Sequence, residues 1–259
     1  MTSEPLRGRH ALVTGAGSGI GAAVALALAE AGAHVTLLGR REAALQATRE
    51  RLPQPERHAV CVADVSDEAQ VRQCVGQAQH TRGPVTLLVN NAGQARSQPF
   101  LKSDPAHWRE MLDVNLMGTV HCSHAVLPGM LQAGGGRIVN VASTAGLTGY
   151  AYVSAYCAAK HAVVGFTRAL ALELARKGVT VNAVCPGYTD TPLLDDAVHN
   201  IVAKTGQGEV SARAALAQHN PQGRLVQPAE VAHSVLWLCL DESASITGQA
   251  IAVAGGEIM

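Results

Sequence analysis

Short apolar runs rich in β-branched residues alternate along this chain with longer alanine-rich segments whose apolar positions recur at helical spacing. His10–Thr14 (HALVT), His34–Leu38, His58–Val62, Thr86–Asn90, Arg137–Ser143 and Val179–Val184 read as strands. Between them, Gly19–Ala31, Glu42–Leu52, Asp67–Arg82, roughly His107–Leu131 and the stretch from Ser154 to Ala175 carry the helical period. Strands that alternate with helices predict a parallel sheet, and right-handed crossovers place helices on both of its faces. The expected fold class is therefore α/β, a doubly wound parallel sheet of about seven strands. Ligands of such sheets lie beyond the carboxyl ends of the strands, so the chemistry is expected in the residues just after each strand. The rhythm breaks once. Tyr188 to about Arg224 is a long excursion at a strand end, in position to close over a site.

Length and composition narrow this picture. The chain has 259 residues, 47% of them apolar, which suits one domain over residues 1–259 with a substantial core. Twenty basic residues balance twenty acidic ones, so no global field attracts nucleic acid or an anionic membrane. Aromatic residues make up 3%, which argues against extensive base stacking. The longest apolar run, Ala22–Ala29, has eight residues and is too short to span a bilayer. The stretch MTSEPLRGRH has no apolar signal core. Six scattered cysteines without a Cys-x-x-Cys pair suggest a reduced, cytoplasmic protein with single buried thiols.

The residues after the first strand are TGAGSGIG, Thr14 to Gly21. Gly15, Gly17, Gly19 and Gly21 allow a tight turn and close approach to a pyrophosphate, and the helix that follows offers free N–H groups. Alone, a glycine-rich run is often just a turn; here it joins a strand to a helix in a βαβ unit. The spacing Gly-x-x-x-Gly-x-Gly resembles that of the short-chain dehydrogenase/reductase family. So do NNAG (Asn90–Gly93), Asn115, Ser143, Tyr156-x-x-x-Lys160, and Pro186–Gly187 with Thr191 beyond, all in the family's order over nearly the whole chain. The resemblance implies a Rossmann-type fold and a nicotinamide dinucleotide held by Gly15, Gly17, Ser18, Gly19, Ile20 and Gly21. It assigns the adenine edge to Asp64 and Val65, and the adenosine side to Asn91, Ala92 and Gly93. The nicotinamide end falls to Tyr156, Lys160, Pro186, Gly187, Thr189 and Thr191. Asp64 also reads as a turn or cap residue.

Gly39 stands where members preferring NAD usually carry Asp, and Arg40 and Arg41 follow. A guanidinium pairs well with a ribose phosphate, so NADP(H) is favoured, while NAD(H) remains compatible. Solvated loop charges are the other reading of Arg40 and Arg41.

Tyr156, Lys160, Val163, Thr167, Leu170 and Leu174 form one helical stripe expected to face the protein. A core tyrosine beside a snorkelling lysine is the plain reading. The chemical one is a phenol, ordinarily at pKa about 10, brought down by the ammonium one turn away together with a positive nicotinamide. In the family this tyrosine is the acid/base, and the lysine also grips the nicotinamide ribose. Ser143 could polarise a substrate carbonyl or simply cap a turn. Asn115 has a structural reading in a helix kink, and the resemblance implies a water relay to Lys160. His121 and His124 have no third partner at ligand spacing, and the chemistry needs no metal.

These expectations describe an oxidoreductase that interconverts a ketone, a 3-oxoacyl compound among the candidates, and a secondary alcohol. The competing classes are a nucleotide-binding regulator without turnover, and a lyase or isomerase on the same scaffold. The resemblance also implies a homotetramer, built on the helices near His107–Leu131 and Val153–Arg176 and on the C-terminal strand. Ala158, Ala159, Ala169 and Ala175 are the expected outer faces of that packing.

Overall fold

The computed structural model describes residues 4–258, so the first three residues of the polar N-terminal stretch lie outside it. Seven strands, β1 (His10–Thr14), β2 (His34–Gly39), β3 (Ala59–Val62), β4 (Leu87–Asn90), β5 (Gly136–Val141), β6 (Val179–Pro186) and β7 (Ala250–Val253), form one sheet. Its order is β3-β2-β1-β4-β5-β6-β7, and the pairings are parallel. The chain runs outward from β1 to β3, then returns to start again at β4. Between β1 and β4 the flanking connections diverge and leave a crevice at the carboxyl ends.

Alternation along β1 shows why HALVT reads as a continuous apolar run. Ala11 and Val13 join the core on one face, with Val24 and Leu28 of α1 (Gly19–Glu30) and Val231 and Val235 of α9 (Pro228–Cys239). Leu12 joins the other core, with Val75 of α3 (Glu68–Arg82), Val126 of α5 (Gly118–Gln132) and Leu174 of α6 (Ser154–Leu174). Both faces are buried, as a parallel sheet requires. The shorter helix α2 (Glu42–Glu50) buries Leu45 and Thr48. Asp67 caps α3 by accepting from the N–H groups of Ala69 and Gln70.

Several expectations need correction. The helix expected over His107–Leu131 is α4 (Pro105–Leu112) and α5, joined by a π-helical segment at Asp113–Met117. The extra residue in that turn points Met111 and Asn115 inward. The six cysteines are not all single thiols. Cys61 of β3 and Cys74 of α3 are bonded sulfur to sulfur, with Cα atoms 6.0 Å apart, because that helix packs directly over its own strand. Ala159 is fully buried against the protein, so it is not part of an outer face. The excursion is not a loose loop. A bridge between Thr189 and Val226 closes its base, and α7 (Pro192–Thr205) and α8 (Glu209–Ala217) pack through Leu194, Val198, Ala212 and Leu216.

The crevice is braced by Thr14 at the end of β1. Its buried hydroxyl accepts from the N–H groups of Asn91 and Ala92, both at 2.9 Å, and the Asn91 amide donates back to the Thr14 carbonyl at 3.0 Å. Thr14→Val keeps shape and removes the acceptor. Urea unfolding is expected to show a loss of about 1–3 kcal/mol, the cost of unpaired N–H groups, and unchanged stability would refute the brace.

Candidate active site

Two cavities meet in the crevice. The smaller, about 250 Å³, runs from the glycine turn to Arg40, Arg41, Asp64 and Val65. The larger, about 1330 Å³, is lined by Ser143, Tyr156, Lys160, Pro186 and the start of the excursion. Ile20, Asn91, Gly93 and Thr191 line both.

The smaller cavity depends on missing side chains. A Cβ on Gly21 would lie 2.3 Å from the Gly15 carbonyl oxygen, and one on Gly15 would lie 2.9 Å from Ala92 Cα. Gly15 and Gly19 also take left-handed backbone, φ 64° and 53°. Ser18 makes no side-chain cap on α1, so the helix keeps its first N–H groups free for an anionic group. Thr191 closes the other side, its methyl group 3.0 Å from where a Gly19 Cβ would be. These residues fit a dinucleotide pyrophosphate.

At the far end Arg40 is largely exposed and sits 3.7 Å from Asp64, a loose pair. Asp64 also accepts from the N–H and hydroxyl of Ser66, at 2.9 and 2.7 Å. Its carboxylate therefore shapes the turn, as one of its two readings had it. His121 Nδ1 is 3.0 Å from the Val65 carbonyl oxygen, a contact that holds the turn down.

In the larger cavity, Lys160 decides the geometry. Its side chain is buried, 4% exposed, and among the described residues its ammonium has one partner, the Val141 carbonyl oxygen at 2.9 Å. Burial pushes its pKa down to about 8. An ammonium that spends one of three donors in a buried place has capacity for a ligand. Asn115 lies alongside. A Cβ on Gly93 would fall 2.8 Å from Asn115 Oδ1 and 3.6 Å from Lys160 Nζ, so only glycine lets these groups approach. The Asn115 amide donates to the carbonyls of Gln94 (2.9 Å) and Met111 (3.0 Å) and accepts from Gln94 N–H (3.2 Å). It stabilises the π turn and the loop after β4 together.

Ser143 accepts from Ala145 N–H at 3.1 Å, capping a short 3-10 turn and leaving its own proton free. Lys160 Nζ lies 5.7 Å from the centre of the Tyr156 ring. The expected depression of the phenol is not seen in the protein alone: burial pushes Tyr156 up to about 12, with the neighbouring Ser143 hydroxyl acting the other way. The desolvated ammonium does not offset that burial. Thr189 and Thr191 are tied to the strand end, their hydroxyls donating to the carbonyls of Gly187 (2.9 Å) and Thr189 (3.2 Å).

The helix that carries Tyr156 and Lys160 is registered from beneath. Asn90 of β4 donates to Asn140 Oδ1 of β5 at 2.9 Å, and Asn140 donates to the Thr167 hydroxyl of α6 at 2.9 Å. Of the excursion's cations, only Lys204 lines the cavity. Arg213 is bound to Asp190 and Asp195, and Arg224 pairs with both oxygens of Glu230 at 2.7 Å. Sequence reasoning missed Tyr150, Tyr152 and Tyr188, which also line the larger cavity. The only available signal was their position just after strand ends.

A family model described as short chain dehydrogenase matches residues 9–201. The chain is 40% identical over 257 residues to a putative ketoacyl reductase of Streptomyces coelicolor, covering 95% of each. It is 38% identical over 253 residues to D-beta-hydroxybutyrate dehydrogenase of Cupriavidus necator, covering 97% of this chain and 98% of the relative. A variant of actinorhodin polyketide ketoreductase, solved with NADPH, superposes with a TM-score of 0.92 at 38% identity, covering 96% of this chain and 97% of that one. With the parallel sheet, the glycine turn and the Tyr156–Lys160 helix, these matches establish the chain as a member of the short chain dehydrogenase family and an oxidoreductase.

Proposed function

We propose that this oxidoreductase interconverts a ketone and a secondary alcohol with NADP(H), and that Tyr156 exchanges the proton. The observation that carries the reading is the buried Lys160 ammonium, single-partnered, beside Tyr156 at the junction of the two cavities. The nicotinamide supplies or accepts the hydride. Lys160 holds the adjoining ribose with its free donors and draws the phenol toward ionisation. Ser143 donates its free proton to the substrate oxygen, which orients and polarises the carbonyl. Asn115 keeps Lys160 and the loop after β4 in place and completes a water relay to bulk solvent. Pro186, Gly187, Thr189 and Thr191 fix the carboxamide end, and Asp64 and Val65 the adenine edge. The relatives named as ketoacyl reductases favour a 3-oxoacyl type of ketone.

Tyr156→Phe keeps the ring and its packing. NADPH binding is expected to stay near wild type, while turnover falls by about a hundredfold or more, as for a lost general acid/base. Alcohol oxidation needs the phenolate, so its rate rises with pH; ketone reduction needs the phenol and falls at high pH. The apparent pKa of kcat for oxidation is expected below the value of about 12 in the protein alone, because a cationic nicotinamide favours the phenolate. Retention of more than about a tenth of the turnover by Tyr156→Phe would exclude the tyrosine from proton transfer.

Cofactor choice follows from Gly39, Arg40 and Arg41. A Cβ on Gly39 would meet only the Leu45 side chain, at 3.3 Å, so Gly39→Asp is sterically tolerable. Its carboxylate would face the ribose phosphate. The expected result is a rise in KM for NADPH much larger than that for NADH; equal changes would remove the phosphate from this corner.

The assembly we propose is a homotetramer through α4–α5, α6 and β7. Ala158 and Ala169 are exposed on α6, Ala175 is exposed just beyond its end, and Leu172 is 81% exposed on the same helix. Light scattering at micromolar concentration is expected to give about four times the chain mass, and a monomer would count against it.

A further inference from the structure

Beyond β7 two glycines return the chain to the site. Gly255 and Gly256 take left-handed backbone, φ 60° and 94°, a region that favours glycine. The turn is closed by Glu257 N–H, which donates to the Ala254 carbonyl at 3.2 Å. It folds the Glu257 side chain back against the end of β6. There Gly187 N–H donates to the Val253 carbonyl at 3.1 Å, and a Cβ on Gly187 would fall 2.7 Å from Glu257 Oε2. Any side chain at 187 would displace the carboxylate.

The two carboxylate oxygens differ. Oε1 accepts the proton of the Tyr150 hydroxyl, which in turn lies 2.9 Å from the Thr144 hydroxyl. Oε2 is shielded from solvent and has no hydrogen-bond partner among the described residues, and none of their ion pairs includes Glu257. The charge is felt in the wall of the larger cavity. Burial first, and the Glu257 carboxylate with it, push the Tyr150 and Tyr188 phenols above their ordinary range. Both tyrosines and Gly187 line that cavity, while Glu257 does not, so the carboxylate stands behind the strand end.

A shielded carboxylate oxygen without a cation is unfavourable, and three glycines serve to place this one. One form of the cofactor supplies the missing charge: the nicotinamide ring is cationic in NADP+ and neutral in NADPH. We propose, building on the reading above in which Gly187 fixes the carboxamide end, that Glu257 tunes the cofactor site. Its carboxylate, acting through the strand end, raises affinity for NADP+ relative to NADPH. A fixed charge in a partly buried place attracts a cationic ring and leaves a neutral one nearly unaffected. The Lys160 ammonium works in the opposite direction, so Glu257 offsets a cost that the buried lysine imposes on the oxidised cofactor. By favouring the oxidised form, the carboxylate biases the bound pair toward ketone reduction.

The test is calorimetric titration of the full-length protein with NADP+ and, separately, with NADPH. Glu257→Gln keeps the shape and an acceptor for Tyr150 and removes the charge. It is expected to weaken NADP+ binding relative to NADPH by about three- to tenfold. Glu257→Met, which removes the charge and the hydrogen bond together, should shift the ratio by the same amount. Tyr150→Phe removes the hydrogen bond and keeps the charge, so its ratio should stay within about twofold of wild type. A merely structural role in the wall would instead change both affinities together in all three variants. A ratio within about twofold of wild type in Glu257→Gln, or an equal shift in Tyr150→Phe, overturns the proposal and leaves the NADP(H) reading standing. If the wild type binds NAD(H) in place of NADP(H), the phosphate reading falls, and the same ratio for NAD+ and NADH decides the proposal. If it binds none of the four, both fall.

Discussion

A lysine ammonium buried in a protein is unfavourable unless something nearby holds it, and this fold is arranged around holding one. Lys160 reaches a single acceptor, the carbonyl of Val141, the last residue of β5. That contact requires β5 to end there, so that its final carbonyl turns toward α6. It requires a glycine at position 93, since a Cβ would press on Asn115 and Lys160 together. It also requires α6 to be set in register against the sheet. The buried chain from Asn90 through Asn140 to Thr167 does this with hydrogen bonds whose geometry tolerates little sliding. Shape alone would not do it, since alanine-rich packing permits several nearby registers.

The same constraint accounts for the π turn in the neighbouring helix. An unbroken α-helix over α4 and α5 would pair all its amides internally. The extra residue at Asp113–Met117 breaks that pattern, and the Asn115 side chain takes up the freed carbonyl of Met111. The amide then spans from the helix to the Gln94 backbone, beside the lysine. A helix irregularity, a glycine and a buried cation are thus one feature seen from three elements. It leaves two of the lysine's donors without a partner among the described residues.

Most of the sheet was legible because strands buried on both faces carry unbroken apolar runs and each is followed by a turn signal. Thr14–Gly21, Asn90–Gly93 and Tyr156–Lys160 were legible for the same reason: each is a short local motif at a strand end or along one helix. What escaped depends on contacts between residues far apart in sequence. Nothing near Tyr150 announces that Glu257 will hold its hydroxyl, or that His219 will meet its ring. The π turn was hidden because DVNLM has ordinary helical composition, and the irregularity is stabilised by a loop contact. Cys61 and Cys74 lack a recognisable spacing, and come together only because α3 folds back over β3. Burial, which pushes the Tyr156 phenol up in the protein alone, has no signature in the local sequence.

The excursion shows how the two kinds of information combine. Its place at the end of β6 was readable. Its fixed shape was not. Arg213 on α8 binds Asp190, between Thr189 and Thr191, and Asp195 on α7. One guanidinium therefore ties both excursion helices to the strand end that carries Thr189 and Thr191. Exposed ion pairs of this kind add little to global stability, and α7 and α8 share only a small apolar core of their own. A segment fastened by a few polar contacts at its base can move as a unit while that base stays with the sheet. A movement of that kind would leave Lys160 undisturbed, because its contact is to Val141 of β5 and not to the excursion.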